Sequence, residues 1–315
     1  MSLSTQKVQP LPSQLVGSLA VAPVDQRWLI DGLWVEQGVG VIGGQPKSFK
    51  SWLALEMATA IAAGIPCLGL FEVRNPGPTL VYLAEDALPD VRQRLVSICK
   101  ARELELDTLE LHVITAPTLR LDVEDDFRRL IETIKLVKPR LLVLDPFVRL
   151  HTSDENRSNE VAAILGRLRD IQRSLEVAIL VVHHARKVTA GLSPGQALRG
   201  STDFHAWVDC LIFLQRDRQG LRLITEHRSA PAMDPLYIDL DPRTPHLFPL
   251  EPGENNASKP SLHDRVLAEI DRAQEPLTRT ELRARLRVNN KRLGDTLTRL
   301  EELGHLRRTA KGWQR

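Results

Sequence analysis

The stretch Gly44-Gln45-Pro46-Lys47-Ser48-Phe49-Lys50-Ser51 has the residue types and spacing of a phosphate cradle. It follows a short apolar run, Gly40 to Gly43, and opens a helical pattern from about Lys50 to Ala63. In that setting successive backbone N–H groups turn toward a β-phosphate and the helix N-terminus adds a favourable dipole. Lys50 would then reach the β and γ phosphates, and the Ser51 hydroxyl would sit on Mg²⁺. One position departs from the pattern. The residue before the lysine is normally glycine, and Phe49 in its place adopts a positive φ only with strain. A second component lies about a hundred residues on. Leu141-Leu142-Val143-Leu144-Asp145 is an apolar strand ending in a carboxylate, the means by which nucleotide sites hold the metal ion. A nucleotide carrying β and γ phosphates, with Mg²⁺, is therefore the expected ligand.

These residues need a scaffold that brings strand ends together. Apolar runs at Thr79–Ala84, Leu111–Ile114, Leu141–Leu144 and Ala178–Val182 join Gly40–Gly43, with helical periods between them at about 89–102, 124–137 and 160–175. Continuous rather than alternating apolar strands separated by helices predict an α/β fold with a parallel sheet covered on both faces. Runs at Cys210–Leu214, Leu221–Thr225 and Leu236–Leu240 follow one another without helices, which predicts antiparallel strands at one edge.

Composition narrows the alternatives. The chain has 315 residues, 43% of them hydrophobic, and a net charge of +2. Cys67, Cys99 and Cys210 lie far apart with no Cys-x-x-Cys pair, so neither a disulfide framework nor a structural zinc is indicated, and a reducing cytoplasm is the expected location. No apolar run reaches the roughly 18 to 20 residues of a membrane span. Residues 1–24, with Pro10, Pro12 and Pro23, read as a flexible arm.

The near-neutral total hides a division. Residues 252–260 have linker composition, and the 55 residues after them hold 13 Lys and Arg against 8 Asp and Glu, a net of +5. Leu262–Ala273 reads as one helix. Thr278 and Glu281 form a capping box for a second, and Asn290–Leu303 makes a third. Leu306–Thr309 and Gly312-Trp313 suit a hairpin. Three helices and a two-stranded wing predict a winged helix-turn-helix domain over 261–315, after an ATPase domain over 25–251. Asn290, Lys291 and Arg292 on the third helix, with Arg307 and Arg308 in the wing, are suited to DNA phosphates and base edges. A winged helix used for protein contacts has the same composition, and Glu301 and Glu302 dilute its positive face.

The loop with Pro46-Lys47-Ser48 and an aromatic before Lys50, the strand end Leu83-Ala84-Glu85-Asp86, the Asp145 strand and Val182-His183-His184-Ala185 together resemble the RepA-like family of RecA-fold ATPases, which includes plasmid hexameric replicative helicases. The resemblance covers about Trp28 to Asp239. It implies a RecA-like P-loop core, self-association as a hexamer, and action on DNA. Glu85 matches the carboxylate that orients the attacking water, with Asp86 its competitor and a helix-capping role the alternative. His184 matches the polar residue that senses the γ-phosphate, with His183 nearby. Arg186, Lys187 and Arg199 lie in a loop that in such helicases contacts single-stranded DNA, although a solvated surface loop has the same composition, and the segment through Arg149, His151, Asn156 and Arg157 is a second candidate, with Asp154 and Glu155 against it. Arg228 falls where a neighbouring subunit would receive an arginine finger, although Glu226 stands where the family places a lysine. Two functions fit: a replicative helicase or translocase of a plasmid, phage or mobile element, and a DNA-bound regulatory or recombination-type ATPase that uses ATP for assembly without unwinding.

Overall fold

The computed structural model describes residues 12–19, 27–152, 158–184, 201–217, 220–250, 262–273, 275–286, 288, 290–302, 305–309 and 311–315. The expected linker at 252–260 and the loop carrying Arg186, Lys187 and Arg199 lie outside these residues, as do Asn156 and Arg157. Of the arm expected over 1–24, the described part carries a single 3-10 turn, Val16–Ser18, with Leu15 and Val16 exposed. Two compact units emerge, Met1–Arg216 with Leu221–Pro249, and Leu250–Arg315 together with Asp217–Gly220. No described helix is long and apolar enough to cross a membrane.

The first unit begins with a short hairpin, β1 (Trp28–Ile30) and β2 (Trp34–Val35), and continues with β3 (Val39–Gly44) and α1 (Lys50–Ala63). There follow β4 (Thr79–Leu83), α2 (Leu88–Ala101), β5 (Leu111–Val113), α3 (Glu124–Val137), β6 (Leu141–Asp145), α4 (Ser158–Leu175), β7 (Ala178–His184) and α5 (Ser201–Trp207). The unit closes with β8 (Cys210–Arg216), β9 (Leu221–His227), β10 (Leu236–Leu240) and β11 (Leu247–Pro249). Among the described residues the main sheet runs β11-β10-β9-β8-β3-β7-β6-β4-β5.

The predicted parallel set is present, with one correction. The sequence places Cys210–Leu214 among antiparallel edge strands, but β8 pairs with β3 in parallel, from Gly40 opposite Cys210 to Gly44 opposite Leu214. The chain returns from the end of β7 through α5, and this crossover carries β8 in the same direction as β3. Among the described strands of the main sheet, β9, β10 and β11 are the antiparallel ones.

Alternate residues of the central strands feed two cores, as period-2 geometry requires. Ile42, Val143 and Val182 face one cluster with Leu53 and Met57 of α1 and Leu95 of α2. Val41, Leu144 and Val181 face the other with Leu130 of α3, Leu165 and Leu168 of α4 and Phe204 of α5. Gly40 sits where no side chain fits, because a Cβ there would stand 2.1 Å from the Cys210 carbonyl oxygen and 2.8 Å from the Trp34 ring.

The second unit contains α6 (Leu262–Arg272), α7 (Arg279–Leu286), α8 (Asn290–Glu302) and the hairpin β12 (Arg307–Thr309) and β13 (Gly312–Gln314). Val266, Leu282, Leu293, Leu297, Leu300 and Trp313 form its core. The capping box before α7 is formed: the Thr278 N–H donates to Glu281 Oε2 at 2.8 Å, and the Glu281 N–H donates back to Thr278 Oγ1 at 3.2 Å.

Candidate nucleotide site

The parallel strands all end on one side, and the residues singled out for phosphate chemistry gather there. Register sets their level: Gly44 pairs with His184, and Leu83 with Asp145. The C-terminal ends of β3, β4, β6 and β7 border a cleft of about 190 Å³ whose walls include Ser48, Lys50, Ser51, Glu85, Asp145 and His184.

The loop from Gly44 to Phe49 holds its shape through two left-handed residues, Lys47 at φ 64° and Phe49 at φ 62°. The strain expected at Phe49 is thus present, and left-handed backbone at a non-glycine residue costs roughly 1–2 kcal/mol. The Arg216 guanidinium lies 5.5 Å from the Phe49 ring centroid and offsets part of that cost. Gly44 is confined by Leu214, since a Cβ at Gly44 would lie 2.6 Å from the Leu214 carbonyl oxygen and 2.7 Å from Ser48 Oγ. The helix begins at Lys50 as the sequence predicts.

Lys50 is 5% exposed, and its Nζ donates to the carbonyls of Gly44 at 3.1 Å and Gln45 at 2.9 Å. Burial lowers its pKa to about 8, against the opposing pull of the Asp145 charge. Asp145 is 6% exposed, and burial raises its carboxyl to about 6. The hydrogen bond from Ser51 opposes that rise, the Asp86 charge adds to it, and Lys50 and Arg94 resist it. Asp145 Oδ2 and Ser48 Oγ are buried with no hydrogen-bond partner among the described residues. Unsatisfied buried oxygens are costly unless a ligand completes them. A hydroxyl bonded to a carboxylate with one spare oxygen fits the outer coordination of Mg²⁺, and the Lys50 ammonium fits a phosphate. The residues present therefore suit both ligands.

The two neighbouring carboxylates differ in their surroundings. Asp86 is clamped by both Nη atoms of Arg94, each at 2.7 Å. Glu85 receives a hydrogen bond from Arg149 Nε at 2.8 Å, and both side chains are about half exposed, at 47% and 58%. Of the histidine pair, His183 is buried and stacks on Phe204 at 4.5 Å, whereas His184 reaches the cleft.

Arg228, expected to serve a neighbouring subunit, lies away from this chain's own cleft. It follows β9 at the end opposite the cleft, because Cys210 pairs with His227 whereas Leu214 pairs with Leu223. There its Nη2 donates to the Ala206 carbonyl and its Nε to the Val208 carbonyl at 3.3 Å, with Asp209 at 3.5 Å. It secures the turn between α5 and β8 and is not brought to the cleft. Three arginines the sequence reading left out of the active site, Arg94, Arg149 and Arg216, lie against it or against its carboxylates. The eight-residue spacing of Asp86 and Arg94 at the start of a helix was a usable signal. The other two pairings join positions 64 and 167 residues apart and leave no local trace.

In the second unit Asn290, Lys291 and Arg292 fall on the first turn of α8, and Arg307 and Arg308 are exposed on β12. Arg308 lies 5.9 Å from the Trp313 ring centroid.

Residues 5–190 match the model of a family described as an AAA domain. The ATPase domain of G40P superposes with a TM-score of 0.54 at 15% identity, covering 69% of this chain and 86% of that one. A DnaB-like replicative helicase, solved for its interactions with primase, gives a TM-score of 0.54 at 14% identity over 69% of this chain. The match spans 58% of that helicase's length. At these identities the likeness is one of fold, that of RecA-like ATPase domains.

Proposed function

The chain belongs to the AAA domain family, as a RecA-fold, helicase-related ATPase, and from that premise we propose that it is an oligomeric, Mg²⁺-dependent ATPase that acts on DNA. The convergence of Lys50, Ser51, Asp145 and Glu85 on one strand-end cleft carries this reading.

In it Lys50 exchanges the Gly44 and Gln45 carbonyls for the β and γ phosphates, and the loop N–H groups cradle the β-phosphate. Ser51 and Asp145 would hold Mg²⁺, which when bound would supply neutralisation of the phosphate charge. Glu85 orients the attacking water and takes up its proton, while Asp86, neutralised by Arg94, fixes the strand end. His184, level with Gly44 on the neighbouring strand, reports the γ-phosphate. The loop with Arg186, Lys187 and Arg199 is assigned to single-stranded DNA and the ring to six subunits by resemblance. The second unit, with its own core and exposed Arg307 and Arg308, is assigned to duplex DNA as a winged helix. A replicative helicase or translocase of a plasmid, phage or mobile element joins these parts. That separately cored, basic unit also favours a second reading, a DNA-anchored regulatory ATPase that does not unwind.

Turnover and nucleotide binding in Lys50→Ala and Glu85→Gln test the site. Lys50→Ala should lose binding, and Glu85→Gln should keep binding and lose about 10²- to 10⁴-fold in kcat. Full turnover in either variant would remove the assignment. Strand displacement on tailed duplexes of both polarities separates helicase from anchored ATPase.

A further inference from the structure

A groove at the opposite end of the strands takes no part in the nucleotide chemistry. Pro78 and Arg140 lead directly into β4 and β6, Glu176 stands just before β7, and all three line a groove of about 740 Å³ with the C-terminal ends of α3 and α4. Strands of five to seven residues, about 17–23 Å at ~3.3 Å per residue, separate it from the cleft.

The floor of the groove is apolar: Ile134 and Val137 of α3, Leu175 of α4, and Pro76 and Pro78 of the chain entering β4. Its rim is cationic. Lys135, Lys138 and Arg140 are exposed there, and among the lining residues Glu176 is the acid set against them. Lys135 and Lys138 also suit the C-terminal dipole of α3, but Arg140 belongs to no helix. It lies against Gly77, where a Cβ would stand 3.0 Å from the Arg140 Cγ. Lys135 pairs with Glu132 at 2.7 Å and Arg140 with Glu36 at 3.7 Å, contacts of the weak, solvent-reached kind that another carboxylate can replace. Two helices end on this wall, and the last carbonyls of a helix have no donor within it.

An occupant that satisfies the groove brings an apolar side chain, carboxylates and N–H donors together. An acidic peptide with an apolar residue has all three. A nucleic-acid backbone would meet the cations and leave the apolar floor unfilled. Residues 1–26 of this chain hold one acid, Asp25, and would fill the floor while leaving the cations unmet. A second copy offers exposed Val123, Glu124 and Asp125, but Glu124 is already engaged by Arg128 and Arg167.

We propose that this groove docks a short acidic segment of a partner protein, with an apolar side chain seated on Ile134, Val137 and Leu175 and carboxylates on Lys135, Lys138 and Arg140. The docking site stands apart from the ATPase chemistry, and neither depends on the other.

Fluorescence anisotropy of the full chain tests this with a labelled peptide of four aspartates followed by Leu-Phe. Wild type should bind it at least ~10-fold more tightly than the same peptide with lysines for aspartates, or with Ser-Ser for Leu-Phe. Lys138→Glu combined with Arg140→Glu should weaken binding about 10- to 30-fold and Val137→Ser about 3- to 10-fold, in proteins matched for melting temperature. Lys138→Gln with Arg140→Gln removes the charges without reversing them; it should give an intermediate loss, and it replaces the reversal variant if that one does not fold. A probe that binds no more tightly than its lysine control, or that keeps its affinity in the charge variants, overturns the docking site. Three further results overturn it by naming another occupant. Displacement of the probe by an unlabelled peptide of residues 1–26 would assign the groove to the arm, and altered sedimentation of the peptide-free charge variants to a second copy. Competition by an oligodeoxythymidylate would assign it to nucleic acid.

Discussion

Lys50 and Asp145 are 5% and 6% exposed at the ends of a parallel sheet, whereas Arg307, Arg308 and Lys311 stand in solvent on and beside a two-stranded hairpin. The first pair is placed by strand register and by a loop with two left-handed residues, and burial pushes both groups toward their neutral forms. The second set costs its small unit little, because water solvates each charge. Placement in the cleft is accordingly rigid, expensive and selective for a ligand that completes it. Placement on the hairpin is inexpensive and suits a contact governed by ionic strength.

The comparison can be broken most decisively at the second unit. Removing residues 261–315 should lower duplex affinity at least ~100-fold at low salt and flatten its salt dependence, with Lys50-dependent turnover retained. Titrations of labelled duplex at several salt concentrations measure this. Survival of tight, steeply salt-dependent binding would mean that the exposed cations are not the DNA contact.

A smaller effect sharpens the cleft side. Asp145 has a folded-state pKa raised to about 6, so its contribution to stability is full below the ordinary carboxylate range and is lost as pH rises through about 6. In ligand-free protein the melting temperature of wild type relative to Asp145→Asn should therefore climb as pH falls from 7.5 to 5. A flat difference would put the carboxylate in the ordinary range and weaken the case for a desolvated metal ligand.

The smallest expected change is at Phe49. Phe49→Gly relieves left-handed strain but loses the Arg216 contact and adds unfolded-chain entropy, so stability should move by less than about 1 kcal/mol and kcat by about twofold or less. Urea unfolding and turnover measure both. A large loss would show that the ring itself shapes the loop.

Local chemistry made much of this legible. The apolar strands, the start of α1 at Lys50, the carboxylate ending β6 and the Thr278–Glu281 box each write their geometry into a few adjacent residues. Strand direction did not show in the same way. Cys210–Leu214 has the composition of an edge strand, and its parallel course depends on a partner 170 residues earlier and on the short helix α5. The pairings of Glu85 with Arg149 and Phe49 with Arg216 are equally products of the closed sheet. The place of Arg228 is likewise set by the antiparallel turn of β9, which carries it to the end of the sheet away from this chain's own cleft.

The position of β3 has a consequence for how the molecule comes into being. This strand is synthesised early, yet its two neighbours, β7 and β8, begin about 140 and 170 residues later. Among the described strands of the main sheet it has no lateral hydrogen-bond partner until β7 has been made, and pairings of such long range close slowly. The phosphate cradle is thus encoded among the first residues of the sheet and assembled among its last, so a chain that stalls before residue 210 carries the whole loop sequence without the neighbouring strands that shape it.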